Sequence, residues 1–394
     1  MEHNKQKHID TYNQTNSRIL GIDQARALAI GAMILAHFAP FVTERIDPHG
    51  TWSLGVLALG RFATPAFVFV FGIAVGLAYL PKLTDDANPS GLYRRILSRG
   101  LLLVVCVPLV RLEGILKIFG GNTELTHIPF VLYSIIAFYA IAVFLLPLIL
   151  SVVRYRPMLS CLLLGSSLWL LHGYLAFRAW PQQGTLNLLE AFRLYLVSGP
   201  YALLPMLGTA ILAMPLGLFL RRCPHIKRSA LWVKIGVCGI LLVTMGLCGG
   251  ALLGEIGQYP FFLAEHKAPP RIWFFSVFVG LTMLAMWYLE VMNEHMASKG
   301  RNAFPLFFAS AGQSALVVYV AHALAFPLAT GLGHVFPRLG NAAPAIAFIA
   351  FLILALTITL RSYRRQTRIS RRGTPVQAAL GVAGIPSHSE VHPR

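Results

Sequence analysis

Long apolar runs recur along this chain and constrain its fold more than any other feature. A run of about 18 or more apolar residues can cross roughly 30 Å of hydrocarbon as a helix. Hydrophobic residues make up 56% of the 394 residues and charged residues only 12%, which is too little polar surface for a soluble protein of this size. The sequence therefore predicts an all-α fold: a polytopic membrane helix bundle of about ten transmembrane helices. The predicted spans are 21–42, 53–80, 98–118, 128–150, 157–177, 196–220, 231–253, 270–290, 304–333 and 342–360.

The net charge of +18 would also suit a nucleic-acid-binding protein, so the placement of the basic residues decides between the two classes. With both termini in the cytoplasm, 23 of the 33 Lys and Arg residues fall in cytoplasmic segments, 8 in outer loops, and 2, Arg26 and Arg61, within spans. This bias follows the positive-inside rule. It predicts cytoplasmic termini and a lipid bilayer, not nucleic acid, as the partner of the basic residues.

The two ends of the chain differ from the apolar centre. We predict a disordered cytoplasmic N-terminus over 1–18, one transmembrane domain over 19–360, and a basic, disordered cytoplasmic tail over 361–394. The first apolar run has no small-residue cleavage site and is expected to stay in the protein. The five cysteines show no metal-type spacing, so we predict no metal site.

The first span contains three ionisable residues, Asp23, Arg26 and His37. A charge at the bilayer centre costs roughly 2.5 to 3.5 kcal/mol even on the mildest insertion scale, so these side chains need partners or a wet cavity. Arg26 follows Asp23 by three residues, a spacing that allows an ion pair on one helix face. His37 returns to within about 20° of the face of Arg26, about 16 Å further along the axis. Arginine and histidine are therefore expected to face one interior at two depths.

The next two spans also carry arginines. Arg61 lies within the second span and must find an anion or carbonyl groups there. Three arginines lie at the start of the third span: Arg94, Arg95 and Arg99. They suit either of two roles, binding phosphates or setting the membrane topology.

Two further patterns lie within spans. Gly72 and Gly76 have the Gly-xxx-Gly spacing that lets a second helix approach closely. Tyr319 and His322 are neighbours at three-residue spacing in the ninth span. His322 and His37 lie at similar expected depths in the outer half, where a histidine can act as a general base or make a structural hydrogen bond.

These motifs resemble those of the transmembrane acyltransferase superfamily. The start Gly21-Ile-Asp-Gln-Ala-Arg26, followed by His37, is similar to the opening helix of acyltransferase family 3 enzymes, glucan succinyltransferases and heparan-alpha-glucosaminide N-acetyltransferase. The phrases Pro65-Ala-Phe-Val-Phe-Val-Phe-Gly72 and Gly312-Gln-Ser-Ala-Leu-Val-Val-Tyr-Val-Ala-His322 resemble the second helix and a late helix of the same proteins.

The chain departs from the family 3 pattern at two points. Ala27 stands where a glycine is usual, and the Trp-Ser-Leu-x-x-Glu phrase of many family 3 enzymes is absent from the sequence. Both departures favour the glucan-succinylating or glucosaminide-acetylating side of the superfamily. In the glucosaminide branch the reactive histidine lies in the first outer loop within a His-x-x-Trp context, which His49-Gly-Thr-Trp52 matches here. His37 and His49 therefore compete for the role of base.

The resemblance implies an integral membrane acyltransferase of the bacterial cytoplasmic (inner) membrane. It would move an acyl group, expected to be acetyl, from cytoplasmic acyl-CoA to a hydroxyl or amine of a carbohydrate or glycolipid acceptor on the outer side. The implied catalytic residues are His37, His49, Asp23 and Arg26. The residues expected to hold acyl-CoA are Arg26, Arg94, Arg95 and Arg99, and those expected to bind the acceptor are Arg61, Tyr319 and His322.

The alternative is a polytopic transporter or a lipid or glycolipid flippase without covalent chemistry. Asp23, Arg26, Arg61 and His322 would then line a substrate path across the bundle. We find no internal repeat and no pair of broken helices in corresponding halves to support it. The sequence predicts neither the acceptor nor the oligomeric state.

Overall fold

The computed structural model describes residues 19–38, 51–85, 90–119, 128–176, 188–222, 225–258, 268–301, 303–335 and 342–380. These residues form sixteen α-helices and one π-helical segment, and within the described ranges there is no β-strand. In chain order the helices are α1 (Leu20–Phe38), α2 (Thr51–Ala78), α3 (Leu80–Asp85), α4 (Ser90–Val110), α5 (Leu112–Phe119), α6 (Ile128–Leu132), α7 (Ile135–Val153), α8 (Pro157–Ala176), α9 (Leu188–Arg193), the π-helical segment Leu194–Ser198, α10 (Leu203–Arg222), α11 (His225–Leu252), α12 (Glu255–Gln258), α13 (Ile272–Ser298), α14 (Ala303–Gln313), α15 (Ala315–Val335) and α16 (Ala342–Leu380).

Seven helical stretches among the described residues are long and apolar enough to cross a membrane. They are Ala58–Leu83, Ile135–Val153, Pro157–Ala176, Leu188–Arg222, Ser229–Leu252, Ile272–Ser298 and Ala345–Thr367. The pair Ala303–Gln313 and Ala315–Ala325 makes an eighth if it is counted as one span. The all-helical architecture with several apolar spans is therefore confirmed.

Helix α1 covers most of the first predicted span, 21–42, and α4 overlaps the third, 98–118, over residues 98–110, but neither helix is among the seven apolar stretches. The reason is their polar content, since α1 carries Asp23 and Arg26 and α4 carries three arginines near its start. The count of ten spans and the cytoplasmic placement of both termini stay predictions.

The ninth predicted span, 304–333, is not one straight helix. Helix α14 ends at Gln313, α15 begins at Ala315, and the two axes differ by 63°. At the junction the Ser314 hydroxyl donates a hydrogen bond to the Ser310 carbonyl oxygen, a local bond of the kind that bends helices. The uninterrupted apolar run concealed this break.

Helix α16 runs to Leu380. The segment after 360, which we predicted as a disordered tail, therefore begins as a continuation of the last helix. Within it the Gln366 amide donates to the Gln313 side-chain oxygen, which ties α16 to the end of α14.

Helix α2 lies at the centre of the bundle and packs against α1, α10 and α13. A Cβ atom placed on Gly72 would lie 2.0 Å from the Ala210 carbonyl oxygen, and one on Gly76 would lie 2.0 Å from the Met214 carbonyl oxygen. Only glycine lets the two backbones come this close. The close approach predicted from the Gly-xxx-Gly spacing is confirmed, with α10 as the partner helix.

Helix α1 is held by polar contacts as well as apolar packing. The side-chain amides of Gln24 and Asn293 bond each other in both directions, at 2.9 and 2.8 Å, and join α1 to α13. The Gly21 backbone N–H donates to Glu290 Oε2 at 2.9 Å, so the first turn of α1 is fixed to the same helix. A Cβ on Gly312 would lie 1.7 Å from the Asp23 carbonyl oxygen, which shows how closely α14 approaches α1.

The outward faces of the bundle are apolar. Leu170 on α8 is 75% exposed and Met245 on α11 is 68% exposed, and many other large hydrophobic side chains share this exposure. Such a surface would be costly in water and is covered by hydrocarbon in a bilayer. The exposed faces thus agree with an integral membrane protein.

Candidate active site

A cavity of about 320 Å³ lies between α1, α2 and α15 and is completed by residues near the starts of α7, α10 and α13. Its walls are mostly apolar, and five of its lining side chains are polar. The lining residues are Met33, Ala36, His37, Gly60, Arg61, Ala63, Thr64, Phe67, Ile135, Pro200, Tyr201, Ala268 and Tyr319. Apolar walls with a few convergent polar groups are the usual composition of a ligand site.

His37 lies in the last turn of α1, and its side chain is exposed at the cavity. Its ring centroid is 5.2 Å from that of His322 on α15. The two histidines that sequence analysis placed at similar depths therefore meet in the structure. His37 lines the cavity, while His322 is only 3% exposed and stands behind it.

The orientation of His322 is fixed by its own helix. Its Nδ1 lies 2.5 Å from the carbonyl oxygen of Tyr319, and because a carbonyl only accepts, Nδ1 carries the hydrogen. The Tyr319 ring packs edge-on against the His322 ring, with 4.9 Å between the ring centroids, as the three-residue spacing predicted. The ring centroids of Phe38 and Phe351 lie 6.5 and 6.3 Å from that of His322 and enclose its other sides. His322 is thus a held, buried ring in contact with a more accessible His37.

Arg61 brings a positive charge to the cavity from α2. It lies within electrostatic range of the Tyr201 hydroxyl, which also lines the cavity, and so does Arg111. Arg111 in turn donates a hydrogen bond to the Tyr133 carbonyl oxygen just before α7. Two arginines therefore bias the side of the cavity that carries Tyr201 towards negative or strongly polar groups.

Thr64 and Tyr201 are cavity residues that sequence reasoning missed. Tyr201 follows a Gly-Pro turn and has no charge or spacing that distinguishes it from the other tyrosines. Thr64 could have been found from Arg61, since a residue three positions further on a helix shares its face.

The predicted ion pair between Asp23 and Arg26 is confirmed, with Arg26 Nη1 2.8 Å from Asp23 Oδ1. The other carboxylate oxygen of Asp23 accepts a hydrogen bond from the Gln313 amide at 3.0 Å. Neither Asp23 nor Arg26 lines the cavity. Because α1 is continuous from residue 20 to 38, Arg26 and His37 are separated by about 16 Å along one helix, as predicted.

The three arginines that open α4 stay apart from the cavity. Arg94, Arg95 and Arg99 are exposed and are not among its lining residues. Arg99 donates a hydrogen bond to the Tyr79 hydroxyl, and its guanidinium lies 6.0 Å from the centre of that ring. The exposure of Arg94 and Arg95 fits both roles considered for them, binding phosphates and setting the topology.

His49 lies in the segment 39–50, outside the residues that the structure describes. Its competition with His37 is therefore not resolved by geometry. Among the described side chains, no group of three or more His, Cys, Asp or Glu residues is placed to hold a metal ion.

Comparison with protein families identifies the chain over most of its length. The sequence profile of acyltransferase family 3, described as an acyltransferase domain, matches residues 19–363. The matched region begins just before α1 and ends within α16, so it includes the cavity and the Asp23–Arg26 pair. A comparison with individual curated proteins gives no match. The profile match confirms the resemblance seen in the motifs, and the chain belongs to acyltransferase family 3.

Proposed function

We propose that this protein is an integral membrane enzyme that transfers an acyl group, acetyl in the simplest case, from cytoplasmic acyl-CoA to an acceptor on the outer side of a bacterial cytoplasmic membrane. The acceptor group is a hydroxyl or amine of a carbohydrate or glycolipid. The observation that carries the proposal is the convergence of His37, Arg61 and Tyr319 on one cavity in a chain of an acyltransferase family.

The cavity offers the groups that acyl transfer requires. His37 takes the proton from the acceptor hydroxyl or amine as that oxygen or nitrogen attacks the thioester carbonyl carbon. The tetrahedral oxyanion that forms is stabilised by a positive charge, which Arg61 supplies. The carbon–sulfur bond then breaks, and the CoA thiolate leaves with the proton returned by His37. Tyr319 and Tyr201 add hydroxyl groups that can orient the acceptor.

The route for the donor follows α1. The ion-paired Arg26 lies about 16 Å from His37 towards the end of α1 that we predict to be cytoplasmic. A long pantetheine arm can bridge such a distance and leave the nucleotide phosphates near the arginines that open α4, namely Arg94, Arg95 and Arg99. Guanidinium groups suit phosphate oxygens through paired hydrogen bonds. In this proposal Asp23 holds Arg26 in position, Tyr319 contacts the acceptor, and His322 contributes to acceptor binding by positioning the ring of His37.

The base assignment is tested by acyl transfer with purified protein, labelled acetyl-CoA and a carbohydrate acceptor. Loss of a general base typically lowers the rate by about 10² to 10⁴-fold. We expect this loss in His37→Ala and near wild-type transfer in the matched variant His49→Ala. Loss only in His49→Ala assigns the base to the first outer loop, and wild-type rates in both variants contradict a histidine base at this end of α1.

Binding of the donor separates an enzyme from a transporter or flippase. A protein that only moves a lipid or sugar has no reason to recognise CoA. We expect saturable binding of labelled acetyl-CoA to the reconstituted protein, weakened when Arg94 and Arg95 are both changed to Gln. If the protein does not bind acetyl-CoA but transports the acceptor, the result would favour a transporter or flippase.

A further inference from the structure

A second and larger recess lies outside the cavity, between α4, α15 and α16. Its volume is about 560 Å³, within the range of about 300 to 1,000 Å³ typical of ligand pockets. All of its lining residues are apolar. We call it the lateral groove. It is bounded on α4 by Leu102 and Cys106, on α15 by Leu316 and Ala325, and on α16 by Ala347 and Ile358.

The lateral groove opens on a surface of exposed apolar side chains. Leu101 and Val105 on α4 and Ile353 on α16 are each more than half exposed beside it. A groove of this composition cannot hold a polar ligand, because burying a polar group without a partner is costly. The bilayer that covers these faces supplies hydrocarbon chains as the available occupants.

The groove is elongated along the helix axes. On α15 it extends from Leu316 to Ala325, about 14 Å, and on α16 from Ala347 to Ile358, about 16 Å. This shape suits an extended chain lying along the membrane normal. The Ala325 end is the one towards the side of the membrane that we predict to be outer.

The groove and the cavity share one wall. Val320 and Ala321 line the groove, and they lie between Tyr319 and His322 in the same turn of α15. Tyr319 itself lines the cavity and packs against the apolar cluster that contains Cys106, a groove residue. Phe351 lines the groove, and its ring centre is 6.3 Å from that of His322. Helix α15 thus separates the two spaces, and the Ala325 end of the groove lies about 5 Å beyond His322 along this helix. A molecule with its chain in the groove therefore has its headgroup about one helical turn beyond the histidine pair, on the side that we predict to be outer.

We propose that the lateral groove binds the hydrocarbon chain of the acceptor, so that the acceptor is a membrane lipid carrying a sugar and not a free soluble carbohydrate. This inference rests on the proposed acyl transfer. The chain belongs to the acceptor because the donor approaches from the opposite end of α1, near Arg26. The groove would select acceptors by their lipid anchor, while the cavity presents the sugar to His37.

Photolabelling tests the groove without requiring catalysis. The probe is octadecyl glucoside with a diazirine in its alkyl chain, incorporated with the wild-type protein into phosphatidylethanolamine nanodiscs. We expect the label on α15 and α16 residues of the groove, and we expect competition by unlabelled octadecyl glucoside but not by methyl glucoside. A phosphatidylethanolamine probe with the same diazirine serves as the comparison for ordinary boundary lipid.

Two alanines of α16 provide matched variants. Ala350 is exposed and lines the groove, whereas Ala345 is exposed and does not. In Ala350→Phe the new ring occupies the space of two or more methylene groups, which should weaken the glucoside labelling by about tenfold. Ala345→Phe makes the same change on the same helix and should leave the labelling at the wild-type level.

Two results would overturn the proposal, because each would mean that the groove holds only boundary lipid. One is even labelling of all lipid-facing helices. The other is equal labelling by the two probes that survives in Ala350→Phe.

Acyl transfer provides the second measurement. Ala350→Phe should lower transfer to octadecyl glucoside and spare transfer to methyl glucoside. If groove labelling succeeds while no variant or wild-type protein transfers label from acetyl-CoA, the proposed function fails and the chain-binding groove stands.

Discussion

Asp23 is a buried ionisable residue whose two carboxylate oxygens are both paired. It is only 6% exposed, and its two carboxylate oxygens accept from Arg26 and Gln313. A charge of either sign inside an apolar bundle is tolerated when it is paired and hydrogen-bonded. The pair therefore explains how α1 carries two charges in a membrane domain and why Arg26 keeps one orientation.

Asp23→Ala should destabilise the protein by roughly 1 to 3 kcal/mol, because it leaves the Arg26 guanidinium and the Gln313 amide without their acceptor. Thermal unfolding in detergent measures the change as a lower Tm. The double variant Asp23→Leu with Arg26→Leu should recover part of the loss, since removing both partners leaves no unpaired charge. A double variant no more stable than Asp23→Ala would show that the pair is not what stabilises this end of α1.

The pairing of α2 with α10 depends on the smallest side chain at Gly72. A methyl group at this position would lie 2.0 Å from a backbone oxygen of α10, which cannot move away alone. Gly72→Ala should force the helices apart at a cost of about 1 to 3 kcal/mol, as overpacking of a close interface does. The measurement is again the thermal midpoint of the purified protein.

Gly173 on α8 is the matched control, because no other helix brings an atom within 4 Å of a Cβ placed there. Gly173→Ala should be neutral or stabilising by up to about 1 kcal/mol, since alanine is the better helix former. Equal effects of the two substitutions would contradict the close approach of α2 and α10.

The elements that sequence predicted well are those governed by local geometry. The Asp23–Arg26 pair, the Tyr319–His322 contact and the approach at Gly72 all follow from helical spacing within one segment. The bend at Ser314 was missed because apolar composition continues through it, and hydropathy does not report a local hydroxyl bond.

The cavity could be predicted only in part, because it depends on contacts between distant helices. The sequence singled out His37, Arg61 and Tyr319 because each is an ionisable residue within a span or belongs to a motif. That they meet at one cavity depends on how three distant helices pack. Thr64 and Tyr201 are ordinary residues in sequence and become site residues only through that packing. The lateral groove has no sequence signal, because its lining is indistinguishable from any apolar helix face.

At the scale of the whole molecule, the distribution of positive charge predicts an even number of spans with both ends in the cytoplasm. Reporter fusions test this directly. Green fluorescent protein fused after the last residue should fluoresce, and alkaline phosphatase inserted within 39–50 should be active, because the first reporter works in the cytoplasm and the second outside it. An inactive phosphatase within 39–50 would reverse the assignment of the two ends of α1. A non-fluorescent fusion at the last residue together with an active phosphatase within 39–50 would require an odd number of spans.

The central claim is that acyl transfer takes place in the cavity at His37. The most direct measurement is the rate of label transfer from acetyl-CoA by His37→Gly, with and without added imidazole. The side chain is exposed at a cavity of about 320 Å³, so a free imidazole has access to the space that the substitution leaves. We predict a rate lowered by about 10² to 10⁴-fold and partly restored as imidazole is added. Transfer by His37→Gly at the wild-type rate, unchanged by imidazole, would contradict the claim.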